Sequence, residues 1–290
     1  MIYEDIIKTE INNRKGKDTS KNTYITSLIK ILKKYENVYK DIANIDTFNY
    51  YDKIIEILPS KITTRKNYII AILVLTRNNP KYKNVYKKYL EYSQSIKKEH
   101  LKYVKNHNKD CKISWNELKN VKKSLWATLE KEDIKNAKQL SYNQRYKLQD
   151  YLIVSLYILL KPKRTEYSNV KIINEDKYKE LSKEEIKKNN WLVITDHNTK
   201  YFVFTNKNKE TIYEFFGNEI NEIINLYLKH HKNRKWLLYD KRDNKMTANN
   251  LVKQLQRIFR PLNMNVSVSL IRYLYNNMIN DIKEKTIISC

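Results

Sequence analysis

The chain has only two glycines and four prolines in 290 residues. So little turn chemistry excludes a sandwich or barrel built on many tight hairpins, and it excludes collagen-like or low-complexity chains. The two cysteines, Cys111 and Cys290, are too few for a disulfide framework or a structural zinc site. No apolar run approaches the roughly 20 residues that a membrane helix needs; the strongest, residues 68–75, is far shorter. Glu4 and Asp5 stand where a signal peptide would carry positive charge. Glycines 16 and 217 are isolated, so there is no Gly-rich phosphate loop. The five histidines (100, 107, 197, 230 and 231) lack zinc-ligand spacing, and no serine nucleophile elbow occurs. The expectation is an intracellular chain, in cytoplasm or nucleus, neither secreted nor membrane-bound, with no metal and no cofactor.

What the sequence does have is positive charge. Lysine plus arginine number 57 against 32 acids, a net charge of +25. A hydrophobic content of 41% argues against disorder, so the excess belongs to a folded surface and points to a polyanionic partner. Lys, Asn, Ile and the 24 tyrosines are also the residues of an A/T-rich gene. Glutamate codons share that bias, yet the acids have not kept pace with the bases. Nucleic acid is therefore favoured over a merely solvated surface. A membrane surface ranks last, because no basic amphipathic helix carries a bulky apolar face.

The first third has helical periodicity. Ser20 precedes a stripe of Tyr24, Leu28, Ile31, Leu32 and Tyr35; a second stretch from Asp46 runs through Tyr50, Ile54, Ile57 and Leu58 to Pro59. Ser60 is the expected cap of a third helix over 62–76, apolar nearly all round and so central to a bundle. A fourth spans about 82–103, with Tyr82, Tyr86 and Tyr89 on one side as core or helix contacts. Residues 102–112 are polar and basic, which predicts a linker at 106–113 between domains at 1–105 and 114–290. Capping boxes at Ser114-Trp115-Asn116-Glu117 and Ser141-Tyr142-Asn143-Gln144 open two further helices, the second stopped by Pro162. Near 190 the period changes. Residues 191–194, 201–204 and 211–213 predict a small antiparallel sheet inside a mainly α, α+β chain. Helices resume at 220–228, after Thr247, and from 266 to about 282. Each tryptophan (115, 126, 191 and 236) sits beside periodic apolar residues and is expected in the core.

Three segments in order carry the functional signal. The first is Lys161-Pro162-Lys163-Arg164-Thr165-Glu166-Tyr167-Ser168-Asn169-Val170, at the end of an apolar helix. The second is the basic hairpin Phe204-Thr205-Asn206-Lys207-Asn208-Lys209-Glu210, and the third is Ser267-Val268-Ser269-Leu270-Ile271-Arg272-Tyr273. Together they resemble the catalytic domain of tyrosine recombinases (phage-type integrases), especially divergent members from DNA viruses and mobile elements. Residues 1–105 likewise resemble the family's helical, SAM-like core-binding domain.

The resemblance implies metal-free chemistry on double-stranded DNA, for integration or recombination, with self-association on the DNA allowed. A tyrosine hydroxyl attacks a phosphodiester while protein cations meet the charge on five-coordinate phosphorus. Lys163 or Arg164 takes the place of the first arginine, three-before-acid spacing to Glu166 favouring Lys163 and a one-residue slip favouring Arg164. Lys207 or Lys209 takes that of the hairpin lysine, a general acid. Ser269 stands where the family's histidine would be, and Arg272 is in register. Eighteen residues follow Arg272, fewer than the family needs to reach its nucleophile. Tyr273 and Tyr275 share the helix of Arg272, and neither is assigned the role. The expectation is thus a truncated or catalytically degenerate chain. Its rivals are a non-cleaving architectural DNA binder and a type IB topoisomerase-like enzyme. Arg257 and Arg260, at helical spacing, are either phosphate contacts or plain surface.

Overall fold

The computed structural model describes residues 2–14, 16, 18–109, 113–205, 210–232, 234–262 and 266–288. The chain separates into two compact units, 1–111 and 112–290.

The first unit is all helical: α1 (Ile2–Asn12), α2 (Asp18–Tyr39), α3 (Tyr51–Glu56), α4 (Ile62–Thr76) and α5 (Lys83–Lys109), with a 3₁₀ turn at Ile45–Asn49 before α3. Its core takes Tyr3, Ile7 and Ile11 from α1, one helical face by their i, i+4, i+8 spacing. Leu28, Ile31, Leu32 and Tyr35 of α2 meet them, with Ile69, Ala71, Ile72 and Leu75 of α4. Tyr82 and Tyr89 are fully buried with satisfied hydroxyls, which donate to the carbonyls of Ile45 (3.1 Å) and Phe48 (3.0 Å). Those two rings brace the core and are not free for stacking against bases. The cap of α4 is Lys61, which makes no side-chain bond, in place of the expected Ser60.

The second unit contains α6 (Trp115–Lys131), α7 (Tyr142–Leu159), β1 (Val170–Asn174), α8 (Glu175–Lys179), α9 (Lys183–Lys188), β2 (Asn190–Ile194), β3 (Lys200–Thr205), β4 (Thr211–Phe215), α10 (Asn218–His230), α11 (Ala248–Ile258) and α12 (Val268–Ile288). Helix α7 is buried from Leu148 to Ile158 and forms the spine of the unit. The sheet order is β1-β2-β3-β4. Strand alternation sends Trp191, Val193, Tyr201 and Val203 to one face, against Tyr178 of α8. It sends Phe202 and Phe204 to the other, where each ring meets Tyr167 edge-on at 5.7 Å. In this glycine-poor chain Asn78, Asp133, Asn198 and Asp243 take the left-handed turn positions, as their short polar side chains permit.

Two expectations are corrected. The sheet is mixed, because β1 pairs parallel with β2 across an α8–α9 crossover. The strand directly follows the Arg164 turn, and its outer edge is held by Lys235 and Leu237 through backbone bonds of 3.1 and 2.9 Å. The expected linker begins too early, since α5 continues through Lys109, over a sequence that keeps helix propensity without apolar periodicity.

Candidate functional site

The first motif is positioned by the end of α7. Leu160 leaves the helix in extended conformation two residues before Pro162, whose ring cannot continue it. The turn that follows is pinned from beneath. The buried Tyr157 hydroxyl donates to the Arg164 carbonyl at 2.7 Å, Ser168 donates to that of Thr165 at 2.7 Å, and Asn190 to that of Glu166 at 2.9 Å. Tyr157 and Tyr167 pack edge to face at 5.4 Å. The sequence therefore spends two buried tyrosines on fixing one basic turn.

That turn, the end of β3, β4 and the start of α12 enclose a cleft of about 700 Å³. Lys161, Lys163, Arg164 and Arg272 line it, with Glu166 and Glu214 as the facing carboxylates. Lys163 is not a free cation. Its ammonium pairs with Glu214 and lies 4.6 Å above the Phe204 ring. Arg164 is exposed and Arg272 half-buried; neither forms an ion pair among the described residues. Arg272 sits on the second turn of α12, whose first turn is capped by the Ser267 hydroxyl accepting from the Leu270 amide at 3.1 Å. Two buried oxygens of cleft residues, Glu166 Oε2 and Thr205 Oγ1, have no hydrogen-bond partner among the described residues.

The structure thus brings Lys163, Arg164 and Arg272 to one cleft across more than a hundred residues of sequence. Ser269, one turn before Arg272, is exposed and does not line it. Lys207 and Lys209 lie outside the described residues. Glu214 was missed by sequence reasoning. Its signal is weak, a single acid in an aromatic edge strand, and only the pairing of Phe202 with Glu214 turns it toward Lys163.

The tyrosines beneath the cleft, Tyr157 and Tyr167, are buried. Burial holds the Tyr157 phenol well above the ordinary tyrosine value; Glu166 raises it further while Arg272 opposes. Complete burial likewise raises the Tyr167 phenol. Tyr213 contributes to the cleft wall, but strand alternation puts its ring on the opposite sheet face, 6.2 Å from Tyr201. Tyr275 packs edge-on against Trp115 at 5.6 Å. Among the described residues no group of three His, Cys, Asp or Glu side chains could hold a metal ion, and no helix is long and apolar enough to cross a membrane.

Arg257 proves to be more than surface. Its guanidinium grips the buried Asp150 carboxylate through two bonds of 2.6 and 2.5 Å, and Gln254 donates to the same group at 2.7 Å. No protein-family model matches the chain, and no curated protein matches it. The functional reading therefore rests on the residues themselves.

Proposed function

We propose that this chain is a DNA-binding protein of the tyrosine-recombinase type, with the cleft of Arg164 and Arg272 receiving a backbone phosphate of duplex DNA. The observation that carries the reading is the meeting, in one cleft, of the first and third motif segments. Two guanidiniums without a carboxylate partner among the described residues offer planar forks to a single anionic group, the arrangement that steadies a phosphodiester and, in cleavage, the extra charge on phosphorus. Between the two candidates for the first position, Arg164 is the one available to a ligand, since Lys163 is neutralised by Glu214. Units 1–111 and 112–290 would act as two domains on the duplex, as the resemblance implies.

The second reading, a binder without strand cleavage, is favoured by the tyrosines. Tyr157 and Tyr167 are buried beneath the cleft and Tyr213 packs beside Tyr201 on the other sheet face, so none of these three is a ready nucleophile, and one could come from a partner chain. Fluorescence anisotropy on duplexes of unrelated sequence tests the proposal. Affinity should fall steeply with salt, with a log–log slope of about −0.9 per phosphate contact. Arg164→Ala and Arg272→Ala should each flatten the slope by about 0.9, or about 3.5-fold less loss of affinity between 50 and 200 mM salt. A salt-independent affinity, or slopes unchanged in both variants, would overturn it.

A further inference from the structure

A second polar cavity of about 480 Å³ opens between the first half of α7, the turn at residues 240–245 and α11. Its cations are Lys241, Arg242, Lys253 and Arg257. Asp240, the one carboxylate lining it, is already used by its own turn, accepting from the Arg242 and Asn244 amides at 2.9 and 3.0 Å. Lys241, Arg242 and Lys253 form no ion pair among the described residues. The cavity therefore carries uncompensated positive charge.

It is also built, not merely lined by surface lysines. Asp150 is 4% exposed and Gln254 5% exposed; Gln254 donates to the Asp150 carboxylate, which in turn holds one nitrogen of the Arg257 guanidinium. Burial pushes the Asp150 carboxyl above the ordinary aspartate value, against the pull of Arg257. A carboxylate so buried is tolerable only with its partner in place, so the guanidinium, which also bonds the Tyr146 side chain, is fixed at the cavity wall. Arg257 and Lys241 both lie over the Tyr146 ring, at 5.1 and 5.6 Å to its centre. The ring is thereby occupied as a cation support, and a stacked base has no place on it.

We propose that this cavity is a phosphate-binding site separate from the Arg164–Arg272 cleft. Its chemistry selects a group with several anionic oxygens: four cations, one of them fixed by Asp150, line it together with the side-chain amides of Asn244 and Asn250. Along α7, Tyr146 and Tyr157 are eleven residues apart, about 16 Å at the helical rise, so the two sites are distinct. A phosphodiester backbone and a small phosphorylated molecule present the same group, and the two sources are separable by experiment. The inference does not depend on DNA being the ligand of the cleft.

The test uses the full chain carrying Arg272→Ala, which disables the cleft, and inorganic pyrophosphate as the probe at low ionic strength, by calorimetry. Pyrophosphate should still bind, and adding Arg242→Gln and Lys253→Gln, both exposed positions, should weaken it about tenfold or more. Arg257→Ala is avoided because it would orphan Asp150. If the same pair of substitutions, made in the otherwise native chain, also weakens duplex binding, the natural source is a nucleic-acid backbone; if duplex affinity is unmoved, it is a small phosphorylated ligand. No pyrophosphate binding, or binding indifferent to the two substitutions, overturns the proposal. Duplex binding by the unsubstituted chain is scored separately, so failure here is distinguishable from failure of the DNA reading.

Discussion

His231 makes the stability of the 112–290 unit depend on pH in a defined window. It closes α10, is 6% exposed, stacks on the Tyr227 ring at 4.0 Å, and its Nδ1 lies 2.9 Å from the Tyr227 carbonyl. Burial lowers its pKa from 6.5 to about 4; Arg234, Arg145 and His230 push the same way, and the bond to Tyr227 opposes. The unfolded chain therefore binds a proton that the folded chain refuses. Stability is full above pH 6.5 and is lost as pH falls toward about 4. At roughly 1.4 kcal/mol per pH unit the whole effect is about 3 kcal/mol, of which about 2 kcal/mol goes between pH 7 and 5. That interval lies above most carboxylate titrations, so it isolates the imidazole. All four tryptophans belong to this unit, and urea unfolding followed by tryptophan fluorescence reads it alone. His230 shifts in the same direction, so the comparison is with His231→Gln, which keeps a donor for the Tyr227 carbonyl. The native chain should lose about 2 kcal/mol more than the variant over the interval. Parallel pH profiles for the two proteins would refute the reasoning.

Tyr157→Phe removes the bond that holds the Arg164 carbonyl from beneath the turn. It should cost about 1–3 kcal/mol of stability and weaken duplex binding, read by urea unfolding and anisotropy together. Glu214→Gln releases Lys163 from its ion pair; duplex affinity should rise at low salt and the salt slope should steepen by up to about 0.9. Incubation with a nicked suicide duplex should give no denaturant-stable protein–DNA adduct; an adduct lost in Tyr273→Phe would name that residue as nucleophile. Residues 1–111 and 112–290, expressed separately, should each unfold cooperatively; a molten first unit would contradict its self-contained core from Tyr3 to Ile96.

Much of the helical layout could be read from periodicity and caps, because local chemistry decides it. The boxes at Ser114 and Ser141 cap α6 and α7 as written in the sequence. Strand β1 escaped because Val170-Lys171-Ile172-Ile173 is too short to show a period, and its pairing with β2 is a long-range choice. The opening of α5 into the expected linker escaped because a lysine-rich helix looks like solvated coil. In the cleft, Arg272 and the Lys163–Arg164 turn were legible from order and spacing. What sequence left undecided was which of the two basic neighbours is free, since that depends on Glu214 arriving from an edge strand. The Asp150–Arg257 bracket joins residues more than a hundred positions apart, and nothing local announces it.

The central claim, that Arg164 and Arg272 grip one phosphate of duplex DNA, is tested most directly by a double-mutant cycle on duplex affinity. Arg164→Ala, Arg272→Ala and the double variant are measured at fixed low salt against one duplex. Two guanidiniums sharing a ligand should couple by about 1 kcal/mol or more, the double variant losing less than the two single losses together. Losses that add within about 0.3–0.5 kcal/mol would place the arginines on separate contacts and contradict the account.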